Sequence, residues 1–183
     1  MSHAISVRPA TADDLPAVAD IFLGYVVGSV STFEESPPGV ATWRQKLDDL
    51  TERGLPFLVA EATVAEPGGG SDAGGVVGFA YAGPWRPKPA YRHTAEDSIY
   101  LAPGWTGRGI GRTLLSALVD SCARAGVRQL IAVIAEPGDG ASSALHRAFG
   151  FAEAGRLTGV GHKHGRWLDT VLLQRDLTGP LAG

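Results

Sequence analysis

The feature that most constrains the fold is a strand pattern that runs into a glycine-rich turn and then into an amphipathic helix. The apolar strand covers residues 98–101, the turn holds glycines 107, 109 and 111, and the helix ends near Gly126. A continuous apolar strand at residues 130–134 follows, as expected at the centre of a sheet. This order of elements predicts an α/β domain with a turn that an anion can approach.

The rest of the chain supplies further strands and helices on both sides of this unit. Because strands first meander and then alternate with helices, we expect one domain over residues 1–183 with a mixed α/β sheet. The glycine-rich composition of residues 64–75 predicts a mobile loop, and the C-terminal tail is expected to be loose. Further strands are predicted at residues 5–8, 57–62, 76–81, 152–157 and 168–175, and helices from Asp13 and at residues 40–53 and 142–149.

Composition excludes several classes of function. The net charge of −3 gives no electrostatic reason to expect a nucleic-acid partner. No apolar run approaches about 18 residues, so we expect no transmembrane helix and no membrane partner. The single cysteine, Cys122, lies in an apolar helical pattern and is interpreted as a core residue. With no signal-like N-terminus, these features predict a cytoplasmic protein.

The glycine-rich turn is the clearest candidate for ligand binding. A helix N-terminus presents unpaired backbone N–H groups, and glycine lets a phosphate approach the backbone. The sequence Gly107-Arg108-Gly109-Ile110-Gly111 has the spacing G-x-G-x-G, so it fits neither the dinucleotide nor the Walker pattern. Arg108 and Arg112 add positive charge. The alternative is a tight turn with no ligand.

Several motifs in order resemble a known family. The segment Arg108-Gly109-Ile110-Gly111-Arg112-x-Leu114-Leu115 resembles the pyrophosphate loop of the GNAT acetyltransferase superfamily, although Thr106 stands where Gln or Arg is usual. From residue 85 to residue 177 the chain resembles the phosphinothricin N-acetyltransferase (methionine sulfoximine acetyltransferase) family almost continuously. The segments that carry this resemblance are residues 32–34, 85–91, 94–100, 144–151 and 161–169.

The resemblance implies both an architecture and an activity. The expected fold is a mostly antiparallel central sheet of about seven strands flanked by helices. The expected activity is transfer of an acetyl group from acetyl-CoA, as co-substrate, to the amino group of a small amino acid such as phosphinothricin or methionine sulfoximine. Herbicide resistance and a homodimeric state are also implied.

Two side chains are candidates for the acid–base chemistry. Amide formation needs a base for the incoming ammonium, and the resemblance places a catalytic carboxylate at Glu96, just before the predicted strand. The neighbouring Asp97 is expected to be a surface carboxylate. His146 stands where many superfamily members carry the tyrosine that protonates the leaving thiolate, so it is a candidate acid. The alternative for His146 is a packed helix histidine.

The remaining cofactor contacts are implied by the resemblance. Backbone N–H groups of Ile99, Tyr100 and Leu101 are expected to pair with the pantetheine amides and the developing oxyanion. Asp139 and Ser142 align with a family Asn and Ser at the start of the short helix. The pyrophosphate is assigned to Gly107, Arg108, Gly109, Ile110, Gly111 and Arg112.

A cationic and aromatic loop is the candidate substrate pocket. Arg86 and Lys88 lie beside Trp85 and Tyr91, a combination that suits a small dianionic amino acid. Thr32 and Phe33 are further candidates to close this pocket, together with the turn at residues 163–164. His162 and His164 give only thin support for a metal, and none is expected. The alternatives to this function are a protein or peptide N-acetyltransferase and a non-catalytic acyl-CoA sensor.

Overall fold

The computed structural model describes residues 3–65, 71–72, 75–138 and 140–179. Seven strands of one sheet follow the order β1-β2-β4-β5-β6-β8-β7, and the short β3 pairs with β2. Among the described pairs only β5 and β6 run parallel, so the predicted mixed, mostly antiparallel sheet is confirmed. The strands are β1 His3–Pro9, β2 Phe57–Ala65, β3 Ser71–Asp72, β4 Val76–Pro84, β5 Thr94–Leu101, β6 Gln129–Glu136, β7 Ala152–Lys163 and β8 Arg166–Asp176. The α-helices of the described residues are α1 Leu15–Gly28, α2 Val40–Glu52, α3 Ile110–Arg124 and α4 Ala141–Ala148.

The centre of the predicted mobile loop, residues 66–70 and 73–74, lies outside the described residues, as do residues 180–183 of the predicted loose tail. None of the described helices has the length and apolar character needed to cross a membrane.

Helix α1 begins later than the sequence predicts. A short 3₁₀ turn, Ala12–Asp14, precedes the α-helix, which starts at Leu15 with Pro16 in its first turn. Asp14 is buried and accepts hydrogen bonds from the Thr11 backbone at 2.7 Å and from the Arg8 guanidinium at 2.8 Å. The guanidinium lowers the pKa of Asp14 to about 2. The predicted start at Asp13 was wrong because the Asp14 carboxylate turns back to cap the 3₁₀ turn, and the α-helix begins only after it.

The two faces of the sheet carry different cores. Helices α1 and α2 cover an aromatic face, in which the rings meet mostly edge to face at centroid distances near 5 Å. Helices α3 and α4 cover an aliphatic face that contains the buried Cys122. The aromatic members are Phe22, Tyr25, Trp43, Phe57, Phe79, Tyr81 and Tyr100.

The sheet opens between its two parallel strands. Strand β5 is paired with β6 only through residues 94–97 and 129–132, although both strands continue for four residues beyond. Strand β6 is paired with β8 along its whole length, and β5 is paired with β4 to its end. The gap therefore lies at residues 98–101, next to the glycine-rich turn. This opening exposes backbone edges inside an otherwise continuous sheet.

The final hairpin is longer than predicted. Strand β7 continues past residue 157 to Lys163, with register shifts near Gly155 and between Leu157 and Gly161. The hairpin turns at His164 and Gly165, both with positive φ. The prediction ended the strand early because glycines interrupt the apolar alternation, whereas in the structure they accommodate bulges. The hairpin tip reaches the segment that joins α1 to α2.

Candidate active site

Glu96 lies within β5, not before it. The predicted strand began at residue 98, but β5 starts at Thr94, so Glu96 is its third residue. Its side chain is half-buried on the aromatic face, where Gly83 of β4 is its register partner. Burial, followed by the negative charge of Asp97, raises the pKa of Glu96, while Lys46 and Arg86 oppose that rise. A carboxyl with a raised pKa and partial access to solvent has the properties of a general base.

Asp97 points to the opposite face, and the prediction of a surface carboxylate was wrong. Its side chain is buried, and its Oδ2 lies 2.8 Å from Nε2 of His146. Alternation along β5 explains the difference, since neighbouring residues of a strand face opposite sides of the sheet. The second oxygen, Oδ1, has no hydrogen-bond partner among the described residues. The pair joins β5 to α4 beside the gap between β5 and β6.

Both ring nitrogens of His146 are already engaged. Nε2 contacts Asp97, and Nδ1 lies 2.7 Å from the Ser142 carbonyl oxygen. Burial alone would lower the pKa of His146, but the hydrogen bond and charge of Asp97 outweigh it and raise that pKa. Only the imidazolium can donate through both nitrogens, so this arrangement favours the charged ring. Proton donation to a leaving thiolate would require breaking one of these contacts, which favours the packed-histidine alternative.

The backbone of β5 presents its groups to the gap at every second residue. The Ala102 N–H donates to Val77 of β4 at 2.8 Å, so by alternation Tyr100 also faces β4, while Ile99 and Leu101 face the gap. At Leu101 the gap is occupied by Tyr25. The Tyr25 hydroxyl donates to the Leu101 carbonyl at 2.9 Å and accepts from its N–H at 3.2 Å. Of the three predicted backbone donors, only the Ile99 N–H therefore both faces the gap and lies away from the Tyr25 hydroxyl.

The glycine-rich turn forms the N-terminus of α3. Gly107 and Gly109 have φ values of 73° and 82°, which favour glycine, and no atom lies within 4 Å of a Cβ placed there. The Thr113 N–H donates to the Gly109 carbonyl at 3.1 Å, so the N–H groups of residues 110–112 precede the regular helical pattern.

The side chains of the glycine-rich turn take separate roles. The Ile110 side chain is buried in the core and anchors the helix start. Arg108 lies 4.8 Å from the ring centroid of Trp105, and Arg112 lies 5.4 Å from that of Phe149. The turn combines open backbone with two cations, an arrangement suited to a pyrophosphate.

The start of α4 lies on the same side of the molecule. Gly140, with a φ of 73°, precedes the helix, and Ser142 is exposed in its first turn. Gly111 of α3 packs against Leu145 of α4, where an added Cβ would come within 3.3 Å of a methyl group. The predicted contact residue Asp139 lies outside the described residues. The two helix starts therefore flank the gap with Ser142 and the glycine-rich turn.

The predicted substrate residues come from two segments, residues 32–33 and 85–91, and the charge of Arg86 acts on Glu96. Arg86 stacks at 4.9 Å on Trp85, while Lys88 and Tyr91 are exposed. The side chain of Thr32 reaches the hydroxyl of Tyr100, whose pKa is raised by burial. Phe33 packs against Gly161 of the final hairpin. Of these residues, Arg86 and Thr32 thus reach the face of the sheet that carries Glu96.

A cation that sequence reasoning missed faces the same region. Lys46 of α2 lies 4.5 Å from the ring centroid of Tyr81, and its charge acts on Glu96. A groove of about 390 Å³ between α2 and the end of β4 is lined by Lys46, Thr42, Gly83 and Pro84, among others. The signal in the sequence is the spacing: Lys46 follows Trp43 by one helical turn and so lies beside the apolar stripe. Among the described residues no cluster of three metal-ligating side chains is present.

Comparison with known proteins gives a consistent result. A model of the Acetyltransferase (GNAT) family matches residues 24–151. Phosphinothricin N-acetyltransferase of Alcaligenes faecalis is 45% identical over 95% of this chain and 83% of its own length. L-methionine sulfoximine/L-methionine sulfone acetyltransferase of Pseudomonas aeruginosa is 36% identical over 94% of each chain. A solved GNAT superfamily phosphinothricin acetyltransferase from Sinorhizobium meliloti, in complex with AcCoA, is 43% identical with a TM-score of 0.83, over 94% of this chain and 88% of its own.

Proposed function

The chain belongs to the acetyltransferase (GNAT) family and is an N-acetyltransferase, and on that premise we propose that it acetylates the amino group of phosphinothricin, methionine sulfoximine or a closely related amino acid. The observation that carries the proposal is Glu96, a half-buried carboxyl with a raised pKa beside a cation-lined groove and the gap in the sheet. Acetyl-CoA supplies the activated acetyl group as co-substrate. The names of the two relatives supply the substrate class.

Glu96 acts as the general base in a direct transfer. It removes a proton from the substrate ammonium, directly or through one water, and the freed amine attacks the thioester carbonyl carbon. The bond from carbon to sulfur breaks, the acetyl group remains on nitrogen, and the thiolate leaves. We assign the developing negative charge on the carbonyl oxygen to the Ile99 N–H, because Ile99 faces the gap. We assign no acid role to His146, since both its nitrogens are engaged, and the thiolate takes its proton from solvent.

Acetyl-CoA is held along the gap and at the glycine-rich turn. Pantetheine lies against the backbone of residues 99–101, where the Tyr25 hydroxyl must give up or share its bonds to Leu101. The pyrophosphate lies at the start of α3, which provides N–H groups and two guanidinium groups. The residues proposed for it are Gly107, Arg108, Gly109, Ile110, Gly111 and Arg112, with Ser142 and Asp139 at the start of α4.

Arg86 and Lys88 bind the acidic end of the amino acid, with Trp85, Tyr91, Thr32 and Phe33 enclosing it. The support is charge and placement: the two cations adjoin the strand that carries the base, and the carboxylate or phosphinate of the substrate needs such partners. An enzyme that acetylates proteins would instead need an open groove for a peptide. A non-catalytic acyl-CoA sensor would have no need for a base at Glu96.

A thiol-release assay with acetyl-CoA tests the proposal. Phosphinothricin, methionine sulfoximine, ordinary amino acids and short peptides are compared as amine substrates at equal concentration. We expect thiol release with phosphinothricin or methionine sulfoximine and little with peptides. Release with peptides alone would favour the protein N-acetyltransferase, and binding of acetyl-CoA without turnover of any amine would favour the sensor.

We also propose that the whole chain acts as one domain, in the cytoplasm, and as a homodimer. One sheet with a core on each face supports the single domain. The final hairpin exposes Leu157, Val160 and Trp167, the last at 72% of its surface, and supports an apolar contact between two copies. Light scattering coupled to gel filtration tests this assembly. Trp167→Glu should convert a dimer to a monomer, and an unaffected mass would move the contact elsewhere.

A further inference from the structure

A buried lysine at the end of β7 contacts the segment that carries Thr32 and Phe33. Lys163 is only 3% exposed, and its ammonium donates to the Thr32 carbonyl at 2.8 Å and to the Tyr25 carbonyl at 3.4 Å. These partners lie more than 130 positions away in the chain. The lysine forms no ion pair with a described carboxylate, although Glu34 and Glu35 attract it electrostatically. Burying an ammonium costs free energy, and the hydrogen bonds to these two carbonyls offset part of that cost.

The two acceptors have different structural roles. Tyr25 belongs to the last turn and a half of α1, where carbonyl groups carry the negative end of the helix dipole. The Tyr25 carbonyl also accepts the Ser29 N–H at the end of the helix. Thr32 lies in the irregular segment between α1 and α2, whose carbonyls have no regular partners. One ammonium therefore fixes the irregular segment against both the helix end and the hairpin.

An independent contact joins the same two segments. The ring of Phe33 rests on the backbone of Gly161, so closely that a Cβ at position 161 would overlap the ring. Gly161 has no positive φ, so glycine is required there by this contact and not by the backbone. The side chain of Phe33 is otherwise exposed, at 40% of its surface. Lys163 therefore binds the backbone of the segment at Thr32, and Gly161 leaves room for the ring of Phe33.

We propose that Lys163 is a positioning residue for the amine substrate: it holds residues 29–35 against the final hairpin so that Thr32 and Phe33 bound the site beside Glu96. This inference rests on the proposed function. Tyr25 connects the arrangement to the cofactor strand, because its carbonyl binds Lys163 while its hydroxyl binds Leu101. Lys163 acts through these backbone groups and takes no part in the transfer.

The experiment compares Lys163→Met with Lys163→Arg in steady-state kinetics, with phosphinothricin and acetyl-CoA varied in turn. Loss of hydrogen bonds from a charged group typically corresponds to a change of about 10- to 100-fold. We expect Lys163→Met to raise KM for phosphinothricin by that factor and KM for acetyl-CoA by less than about 2-fold. Lys163→Arg retains a cation for the carbonyls and should recover much of the loss. His162→Ala, an exposed neighbour on the same strand, is the matched control and should leave both constants unchanged.

Gly161→Ala provides a second variant that releases the same segment from the other contact. Its rise in KM for phosphinothricin should combine less than multiplicatively with that of Lys163→Met, because each variant frees residues 29–35. A purely structural lysine would lower the melting temperature and change both KM values together, which would overturn the proposal. Unchanged KM values for both substrates would overturn it as well.

Hydrogen exchange separates this inference from the proposed function. Lys163→Met should speed amide exchange in residues 29–35, with little change in α3, whether or not any amine is acetylated. If the wild-type protein acetylates no amine and Lys163→Met still speeds exchange in residues 29–35, the proposed function fails. The inference that Lys163 holds this segment then remains supported. If exchange in residues 29–35 is unaltered, Lys163 does not hold this segment and the inference fails.

Discussion

Glu96 and Asp97 are adjacent carboxylates on one strand with opposite environments. Glu96 faces the aromatic side under α1 and α2 and is half-buried. It forms no ion pair with any of the described residues. Asp97 faces the aliphatic side under α3 and α4, is buried, and pairs with His146. The comparison teaches that one residue of strand register separates a group available for chemistry from a group committed to holding two elements together.

The largest effect is expected on the aromatic side. Glu96→Gln keeps the shape of the side chain and removes its basicity, so kcat should fall by about 10² to 10⁴. Affinity for acetyl-CoA, measured by calorimetry, should stay close to the wild-type value. Asp97→Asn is the informative partner variant, since it changes the neighbouring carboxylate on the other face. If Glu96→Gln keeps near-normal kcat at pH 7, the two carboxylates do not divide the roles as described.

The pH dependence of kcat adds a second measure for Glu96. A base works in its deprotonated form, so activity is lost as pH falls through its pKa. Because burial raises that pKa, activity should begin to fall at higher pH than for an ordinary glutamate. In Glu96→Gln the profile should instead follow the titration of the substrate amine. A wild-type profile that is flat over the acidic range would contradict this assignment.

On the aliphatic side, the effect should appear in stability. His146→Leu leaves the Asp97 carboxylate buried without its partner, which typically costs about 3–5 kcal/mol in the free energy of unfolding. For a chain of this size the melting temperature should fall by about 10 °C. The double variant Asp97→Leu with His146→Leu removes both charges and should recover most of the loss. A double variant as unstable as the single one would show that packing, and not the unpaired charge, accounts for the loss.

The same pair predicts how stability varies with pH. The pKa of His146 is raised in the folded protein above its ordinary value of 6.5. Its contribution is therefore fully present below pH 6.5 and is lost as pH rises through the raised folded pKa. Melting curves of the wild type should show this decline, and the double leucine variant should lack it. Equal profiles for the two proteins would remove His146 as the titrating group.

A smaller effect is expected from Arg86 and Lys88, the exposed cations of the proposed substrate pocket. Arg86→Ala combined with Lys88→Ala should raise KM for phosphinothricin by about 10- to 100-fold, since hydrogen bonds from charged groups to the acidic substrate are lost. KM for acetyl-CoA should change little. A neutral amine substrate without an acidic group is the control and should lose little on substitution. An unchanged KM for phosphinothricin would place the anion site elsewhere, with Lys46 the next candidate.

The smallest effect is expected at the glycine-rich turn. Gly109→Val places a branched side chain at a φ of 82° and in the proposed path of the pyrophosphate, so Kd for acetyl-CoA should rise by about 10-fold. Gly54→Val, at a φ of 67° after α2, is the matched control for backbone strain. Both variants should lose similar stability, and only Gly109→Val should lose affinity. Native affinity in Gly109→Val would move the anion site from this turn.

The elements of the fold could be predicted because each leaves a local pattern. The strand, glycine turn and helix of residues 98–126 follow from apolar spacing and glycine placement alone. The contacts that define the site could not, because they join distant segments: Tyr25 reaches Leu101 across 76 positions and Lys163 reaches Thr32 across 131. Asp97 was predictable in principle, since alternation from Ala95 places it on the buried face. Its partner was not predictable, because His146 lies 49 positions away in the chain.

The burial of Cys122 has a practical consequence for enzymology. It is the only thiol of the chain, its side chain on α3 is fully buried in the aliphatic core, and burial together with the charge of Asp97 raises its pKa to about 12. The reactive species towards disulfide and maleimide reagents is the thiolate, which is scarce for such a group at neutral pH. Because the side chain is also buried, we expect the folded protein to add little background when a colorimetric thiol reagent detects released coenzyme A. Slow labelling of Cys122 would instead report transient opening of the aliphatic core, a reporter that requires no engineered cysteine.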